Sequence, residues 1–291
     1  MTGQTPLTPL APPTTPTTPT PLHRLDEMTR EELAAEAPGS VLVLPIGAVE
    51  QHGPHLALGT DTLLARTVAE RAAERAGADG VPVVLAPALP YGHSEHHVFP
   101  GAGAASLSAD TLAAVLRDLL SALHRSGFRR FLLVNGHGGN DETARMVSKT
   151  AVLGLPVAVG TVNYWQAGPA TEPAPEGADV PGHAGWWETS LVLAVRPELV
   201  RPDRAATELP GPRGLFSYEA VPGLNLQRHG EWQRSGGTTD PAAGADAAAG
   251  ARILGERVAG VADALRRFHE LTAEPTTEPT AAPTEEGTPA R

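Results

Sequence analysis

The chain has 291 residues, with 33 Asp and Glu against 22 Lys and Arg for a formal charge of −11, and no cysteine. Disulfides and thiolate chemistry are therefore excluded, and any metal must sit on His, Asp and Glu. The acidic balance argues against a nucleic-acid partner, which calls for a basic face. No run approaches the ~18 apolar residues that span a bilayer.

Residues 1–22 are mostly Thr and Pro without periodic apolar positions, and residues 272–291 repeat that composition with Glu added. Such segments bury too little surface to offset their ordering entropy and read as disordered tails. The folded domain is expected over 23–271, long enough for a sizeable core. No Lys/Arg-rich stretch followed by an apolar run opens the chain, so the expected location is the cytoplasm.

Val41–Ile46 is a short apolar run closed by Gly47 and reads as a buried strand. Thr60 or Asp61 is placed to cap a helix reaching Ala76, with Leu63, Leu64, Val68 and Ala72 on one face. Val81–Ala86 is a second strand. Ser108 and Asp110 open a helix with Leu112, Val115, Leu116, Leu119 and Leu123 as its core stripe, ending near Gly127. Phe131–Val134 is a third strand, Gly139–Gly154 a helix, Pro156–Val162 a fourth strand and Asp240–Phe268 a long final helix. This alternation predicts an α/β fold, a mostly parallel sheet with helices on both faces. Residues 166–182 and 203–238 are Gly/Pro-rich loops of a length that suggests function or interface.

The chemistry-bearing residues follow the strand ends. Glu50-Gln51-His52-Gly53-Pro54-His55 and then Asp61 come after the first strand, and Tyr91-Gly92-His93-Ser94-Glu95-His96-His97 after the second. Asn135-Gly136-His137-Gly138-Gly139-Asn140 follows the third, and Asn163-Tyr164-Trp165 the fourth. The carboxyl ends of parallel strands share one edge, where ligand sites form, so four clusters converge. Of the 11 histidines, His52, His55, His93, His96, His97 and His137 lie in these clusters, and His183 lies in His183-Ala184-Gly185-Trp186-Trp187-Glu188-Thr189.

Imidazole and carboxylate without thiolate is the ligand set of catalytic Zn, Mn, Fe or Co sites. Glu50 and His52, two apart on an extended segment, can point the same way. Asp61 returns at a helix N-terminus, where the dipole favours a carboxylate able to bridge two metals. Glycines beside His137 allow close backbone approach. A loop-to-helix turn could bring His183 and Glu188 together.

Taken singly, these residues have plainer readings: a loop histidine as hydrogen-bonder, Asp61 as N-cap, the glycines as turn residues. Their joint placement favours a metal site, because unrelated structural histidines have no reason to gather at one edge. His23, His124, His229 and His269 lack such company and read as structural or surface. Gly101–Ser106 is a broken glycine fingerprint, and Gly92–His96 lacks the final glycine of a nucleophile elbow. Trp165 and Trp186 lie near the clusters and are candidates to wall a planar substrate, which Glu95 or His96 would orient; each tryptophan could equally be core.

Gly47–Leu56 with Thr60-Asp61-Thr62, then Ser94–Gly101, Asn135–Asn140 and His183–Ser190, resemble the signature of the creatininase family of amidohydrolases. Thr238-Thr239-Asp240-Pro241 before an Ala-rich helix is similar to the family's C-terminal pattern. The resemblance implies a three-layer α/β/α sandwich, two divalent metal ions, hydrolysis of a C–N amide-type bond and a homohexamer. It further implies Glu50, His52, Asp61 and His137 as ligands with Asp61 the bridge, Glu188 as the remaining carboxylate, and His183 as acid/base. Creatininases proper resemble Asn-Gly-His-x-Glu-Asn at the third cluster, with that Glu on a metal; here Gly139 fills the slot, as in the wider family.

The function expected is metal-dependent hydrolysis of a small, possibly cyclic amide, with Zn, Mn or Fe as cofactor, by a homo-oligomer without nucleic-acid or membrane partners. One alternative is a peptidase of the mycofactocin-precursor type acting on a short peptide. Another is a non-catalytic metal-binding protein.

Overall fold

The computed structural model describes residues 22–205 and 229–273. The tails read at 1–22 and 272–291, save their innermost residues, and most of the 203–238 loop lie outside the described residues. Five strands, His23–Arg24 (β1), Val41–Ile46 (β2), Val83–Leu85 (β3), Arg130–Asn135 (β4) and Ala158–Asn163 (β5), form one sheet ordered β1-β3-β2-β4-β5. Every pairing is parallel. The helices among the described residues are Arg30–Glu36 (α1), Thr60–Ala78 (α2), Ala109–Arg125 (α3), Asp141–Gly154 (α4), Trp186–Val195 (α5), the single turn Glu231–Arg234 (α6) and Ala247–Leu271 (α7). None is long and apolar enough to cross a membrane.

The sheet is buried on both faces, which is why β2 reads as an unbroken apolar run. Alternate residues feed two cores. Leu42, Leu44, Ile46, Phe131 and Leu133 pack with Leu112, Leu116 and Leu120 of α3 and Val147 of α4. Val41, Val43, Leu132 and Val134 pack on the other face with Leu64 and Val68 of α2, Leu191 of α5 and Ile253 and Leu265 of α7. Each such side chain fully buried contributes roughly 1.5–3 kcal/mol relative to exposure. The result is the expected α/β/α arrangement.

Register and order place the site. Ile46 lies opposite Asn135, and Asn135 opposite Asn163, so β2, β4 and β5 end side by side. The chain goes from β2 outward to β3, then returns past β2 to β4. This reversal opens a crevice between the ends of β2 and β4, the place where parallel sheets bind ligands.

Several boundaries differ from the sequence expectation. The second strand is only Val83–Leu85. The third helix starts at Asp141 after a 3-10 turn over Gly138–Asn140. The last helix starts at Ala247 rather than Asp240, because Asp246 caps it by accepting from the N–H groups of Ala248 and Ala249. Asp61 is not a cap; it sits in the first turn of α2 with Gly59 as N-cap. β1 and α1 were not expected, although the capping box of Thr29 and Glu32 that starts α1 is visible as T-x-x-E.

α7 presses on α5 at Gly250, where a Cβ would fall 1.8 Å from the Ser190 carbonyl oxygen. Gly→Ala inside a helix ordinarily gains up to about 1 kcal/mol. Here the overpacking dominates: Gly250→Ala is expected to lower unfolding stability by about 1–3 kcal/mol. Urea denaturation measures it, and a gain would show that the two helices do not touch there.

Candidate metal centre

Beyond β2 the chain turns at Gly47, where a Cβ would fall 2.4 Å from the Cα of Thr62. This close approach sets the first turn of α2 against the Glu50–His52 segment. His52 Nδ1–H donates to the Glu50 carbonyl at 3.1 Å, which leaves Nε2 facing Asp61 Oδ1 at 3.0 Å and Glu188 Oε2 at 3.7 Å. His137 leaves β4 with its backbone bonded to the Asn135 side chain. Its Nε2–H donates to the His93 carbonyl at 3.1 Å, so Nδ1 faces Glu50 Oε1 and Asp61 Oδ2, each at 3.2 Å. A ring nitrogen anchored on a backbone carbonyl while the other faces carboxylates is the arrangement of a ligating histidine.

Asn140 ties the strand ends together. Its amide donates to the Gly47 carbonyl and to Asn135 Oδ1, and its oxygen accepts from His93 N–H. Asn135 also donates to Asn163. On the other side, α5 carries Glu188 in its first turn, where Glu188 Oε2 accepts the Ala184 N–H at 2.6 Å. Asp240 holds this corner by accepting from Trp186 N–H and from the Thr239 hydroxyl, whose oxygen accepts His183 N–H at 2.7 Å. It presses so closely that a Cβ on Gly185 would fall 2.0 Å from it.

Glu50, Asp61 and Glu188 are all buried, with His52, His137 and His183 among them. Burial pushes Glu50 up and raises Glu188 to about 7, His52 opposing the second shift. Burial also opposes charge on His52, but Asp61, Glu188 and Glu50 outweigh it and raise that imidazole to about 10. His137 is likewise lifted well above its usual value against burial, by Glu50 and Asp61. Asp61 is held below the carboxylate range despite burial, chiefly by His52. Burial, reinforced by the nearby His52, keeps His183 neutral. Protons on His52 and His137 thus balance the carboxylates.

Two buried oxygens, Glu50 Oε1 and Asp61 Oδ2, share the one N–H that a protonated His137 Nδ1 can offer and have no other hydrogen-bond partner. Unmatched carboxylate lone pairs in a dry site are costly unless a cation takes them. Three sets bring one ligand atom each within 4.8 Å of one another: His52, Asp61 and Glu188; Glu50, His96 and His137; and Glu50, His52 and His183. The residues therefore fit divalent cations, with Asp61 turning one oxygen toward each imidazole.

The sequence-predicted Glu50, His52, Asp61, His137, His183 and Glu188 all meet here. Glu95 is exposed, with its carboxylate 3.4 Å from His93 Nε2. The two tryptophans make other contacts. Trp186 is core and donates its indole N–H to the Gly244 carbonyl, while Trp165 packs edge-on against Tyr164. The aromatic wall over the histidines is Trp232 of α6, whose ring centroid lies 4.3 Å from His97 and 5.3 Å from both His96 and His183. Sequence reading missed Trp232 because it sits in a long loop with no strand end beside it. It also missed the support from Ser94, whose hydroxyl donates to Glu50 Oε2, and from Gln51, whose amide donates to His97 Nδ1. Their places inside the clusters were the available signal. His23, His124, His229 and His269 stay outside the ligand sets.

An open parallel sheet that gathers imidazoles and carboxylates at its strand ends defines an α/β protein built to hold divalent metal. The family model described as creatininase, creatinine amidohydrolase, matches residues 26–265. Creatinine amidohydrolase of Pseudomonas putida is 34% identical over 263 residues, covering 82% of this chain and 95% of that protein. The mycofactocin precursor peptide peptidase of Mycolicibacterium smegmatis is 35% identical over 253 residues, covering 84% and 91%. A crystal structure of creatinine amidohydrolase superposes with a TM-score of 0.71 at 31% identity, covering 85% of this chain and 98% of its own. The chain belongs to the creatininase family of amidohydrolases.

The charge balance gives the metal-free protein a distinctive pH response. A histidine raised from 6.5 to about 10 contributes stability that is complete below 6.5 and lost as pH rises through about 10. Glu188 has the same sign and loses its contribution as pH rises through about 7. The histidines lowered by burial act only below 6.5. The thermal midpoint of metal-free protein is therefore expected to fall from pH 7 to 9.5, and to fall less with metal bound. A rising metal-free midpoint would contradict the charge arrangement.

Proposed function

We propose that the chain is a metal-dependent amidohydrolase that holds two divalent cations between Glu50, His52, Asp61, His137 and Glu188 and cleaves a C–N bond in a small amide. The observation that carries this reading is Asp61, with Oδ1 toward His52 and Oδ2 toward His137. Solved creatininases include a manganese form, and one mutant creatininase is known both as a zinc–zinc type and complexed with creatine. Divalent cations bound between these residues would supply Lewis acidity and a bound water acidified toward ~7.

The remaining work falls to the chain's own residues. His183 Nε2–H is committed to the Gln51 carbonyl at 2.9 Å, so Nδ1 is the free position, 3.6 Å from Glu50 Oε1. Kept neutral by burial, it accepts at Nδ1 the proton lost by the attacking water and passes it to the departing nitrogen as the C–N bond breaks, a role worth about 10²–10⁴-fold. Glu188 holds its carboxylate against the Ala184 N–H, which fixes it beside His52. Trp232 offers an apolar face on which a planar amide can lie, the role first expected of Trp165 and Trp186. Glu95 at the rim would orient the substrate's polar end.

A second reading, in which the substrate is a short peptide, is supported by the 35% identity to a mycofactocin precursor peptide peptidase. A Cβ on Gly139 would fall 2.3 Å from the His93 carbonyl oxygen and 2.6 Å from His137 Nε2, so the glutamate expected of creatininases proper has no room here. Residues Met146 and Leu153 expose apolar side chains one heptad apart on α4, which supports assembly as a homo-oligomer.

Metal-reconstituted protein is expected to hydrolyse a member of a panel of cyclic ureides, formamides and short peptides, and chelation to abolish that turnover. His183→Ala should keep its metal and lose about 10²-fold or more in kcat. A His183→Ala protein with full metal content and the original rate would remove the proton-transfer assignment. Cleavage confined to peptides would select the second reading.

A further inference from the structure

We propose that His96 is itself a metal ligand, joining Glu50 and His137 on one cation beside Gly139. This rests on the metallohydrolase reading above. Three observations carry it. One ligand atom each of Glu50, His96 and His137 lie within 4.8 Å of one another. The His96 ring lies nearly parallel to His137, with centroids 5.6 Å apart and planes inclined by 8°. His97 at 4.3 Å and Trp232 at 5.3 Å brace the ring, which lies on the 3-10 turn Glu95–His97.

Gly139 explains why His96 can be there. A Cβ at that position would fall 2.9 Å from His96 Cε1, besides its collision with the His93 carbonyl oxygen. A side chain at 139 and the His93–His96 turn in its present place are mutually exclusive. The two halves of the site then differ: Asp61 and Glu188 stand with one imidazole in the His52 half, whereas Asp61 and Glu50 stand with two in the His137 half. Imidazole suits zinc, carboxylate suits manganese, and cobalt binds nitrogen and oxygen ligands more tightly than manganese does. This chain's second position should therefore prefer Zn²⁺ or Co²⁺ over Mn²⁺.

The test uses the full-length protein stripped of metal and titrated with Co²⁺, Zn²⁺ and Mn²⁺ by calorimetry, with the visible absorption of bound Co²⁺ recorded in parallel. Wild type is expected to bind two equivalents. His96→Ala should keep one and weaken the other by about 10²-fold or more, since even residues that only orient a ligand are worth 10–100-fold. His96→Glu should bind two and shift the weakened position toward Mn²⁺. Metal-free melting of each variant verifies that it folds. Two unchanged equivalents and an unchanged Co²⁺ spectrum in His96→Ala would overturn this assignment alone. No binding by wild type would overturn the metal reading beneath it.

Discussion

Three carboxylates from distant parts of the chain, Glu50, Asp61 and Glu188, are buried together, with imidazoles turned inward among them. Burying one such charge alone is prohibitive, and burying three within a few ångströms is worse unless positive charge stands between them. In the metal-free chain, protons on His52 and His137 supply that charge. Divalent cations would supply more of it, and would also take up the lone pairs of Glu50 Oε1 and Asp61 Oδ2. The site is therefore poor as a piece of core and good as a cation holder, a departure from local stability that marks function.

The fold spends several close contacts to hold this arrangement. Gly47 lets α2 approach until Asp61 meets His52. Asn140 laces the segments after β2, β3 and β4 to one another. Asp240, far along the chain, fixes the corner that presents His183 and Glu188, and Gly250 lets α7 press α5 into place. These residues touch no substrate in the proposed reaction. They make the difference between a cluster and a geometry, because ligating groups must be held to a fraction of an ångström.

Much of this was legible in the sequence, and for identifiable reasons. The apolar runs at Val41–Ile46 and Phe131–Val134 announced strands buried on both faces, and the residues following them had to share an edge. The joint meeting of Glu50, Asp61 and His137 follows from that topology alone. Asp61 was misread as an N-cap candidate because a carboxylate in a helix's first turn satisfies both descriptions, and only the position of His52 separates them. Trp186 was expected at the substrate because it sits two residues from Glu188. On a helix, two residues apart means roughly opposite faces, and the indole turned into the core. Trp232 was invisible because its approach to the histidines is set by the packing of a one-turn helix against the Glu95–His97 turn. No periodicity records such a contact.

Resemblance and geometry answered different questions. The motifs assigned the family and implied Glu188 as the remaining carboxylate, whereas the geometry bears on which further side chain can enter the space beside Gly139. The central claim is that Asp61 bridges two cations. Crystals grown with Zn²⁺ and measured at the zinc absorption edge test it most directly. Two anomalous peaks are predicted, one against Asp61 Oδ1, His52 and Glu188, the other against Asp61 Oδ2, Glu50 and His137. Absence of peaks there, or a single peak that leaves one Asp61 oxygen without a cation, would contradict it.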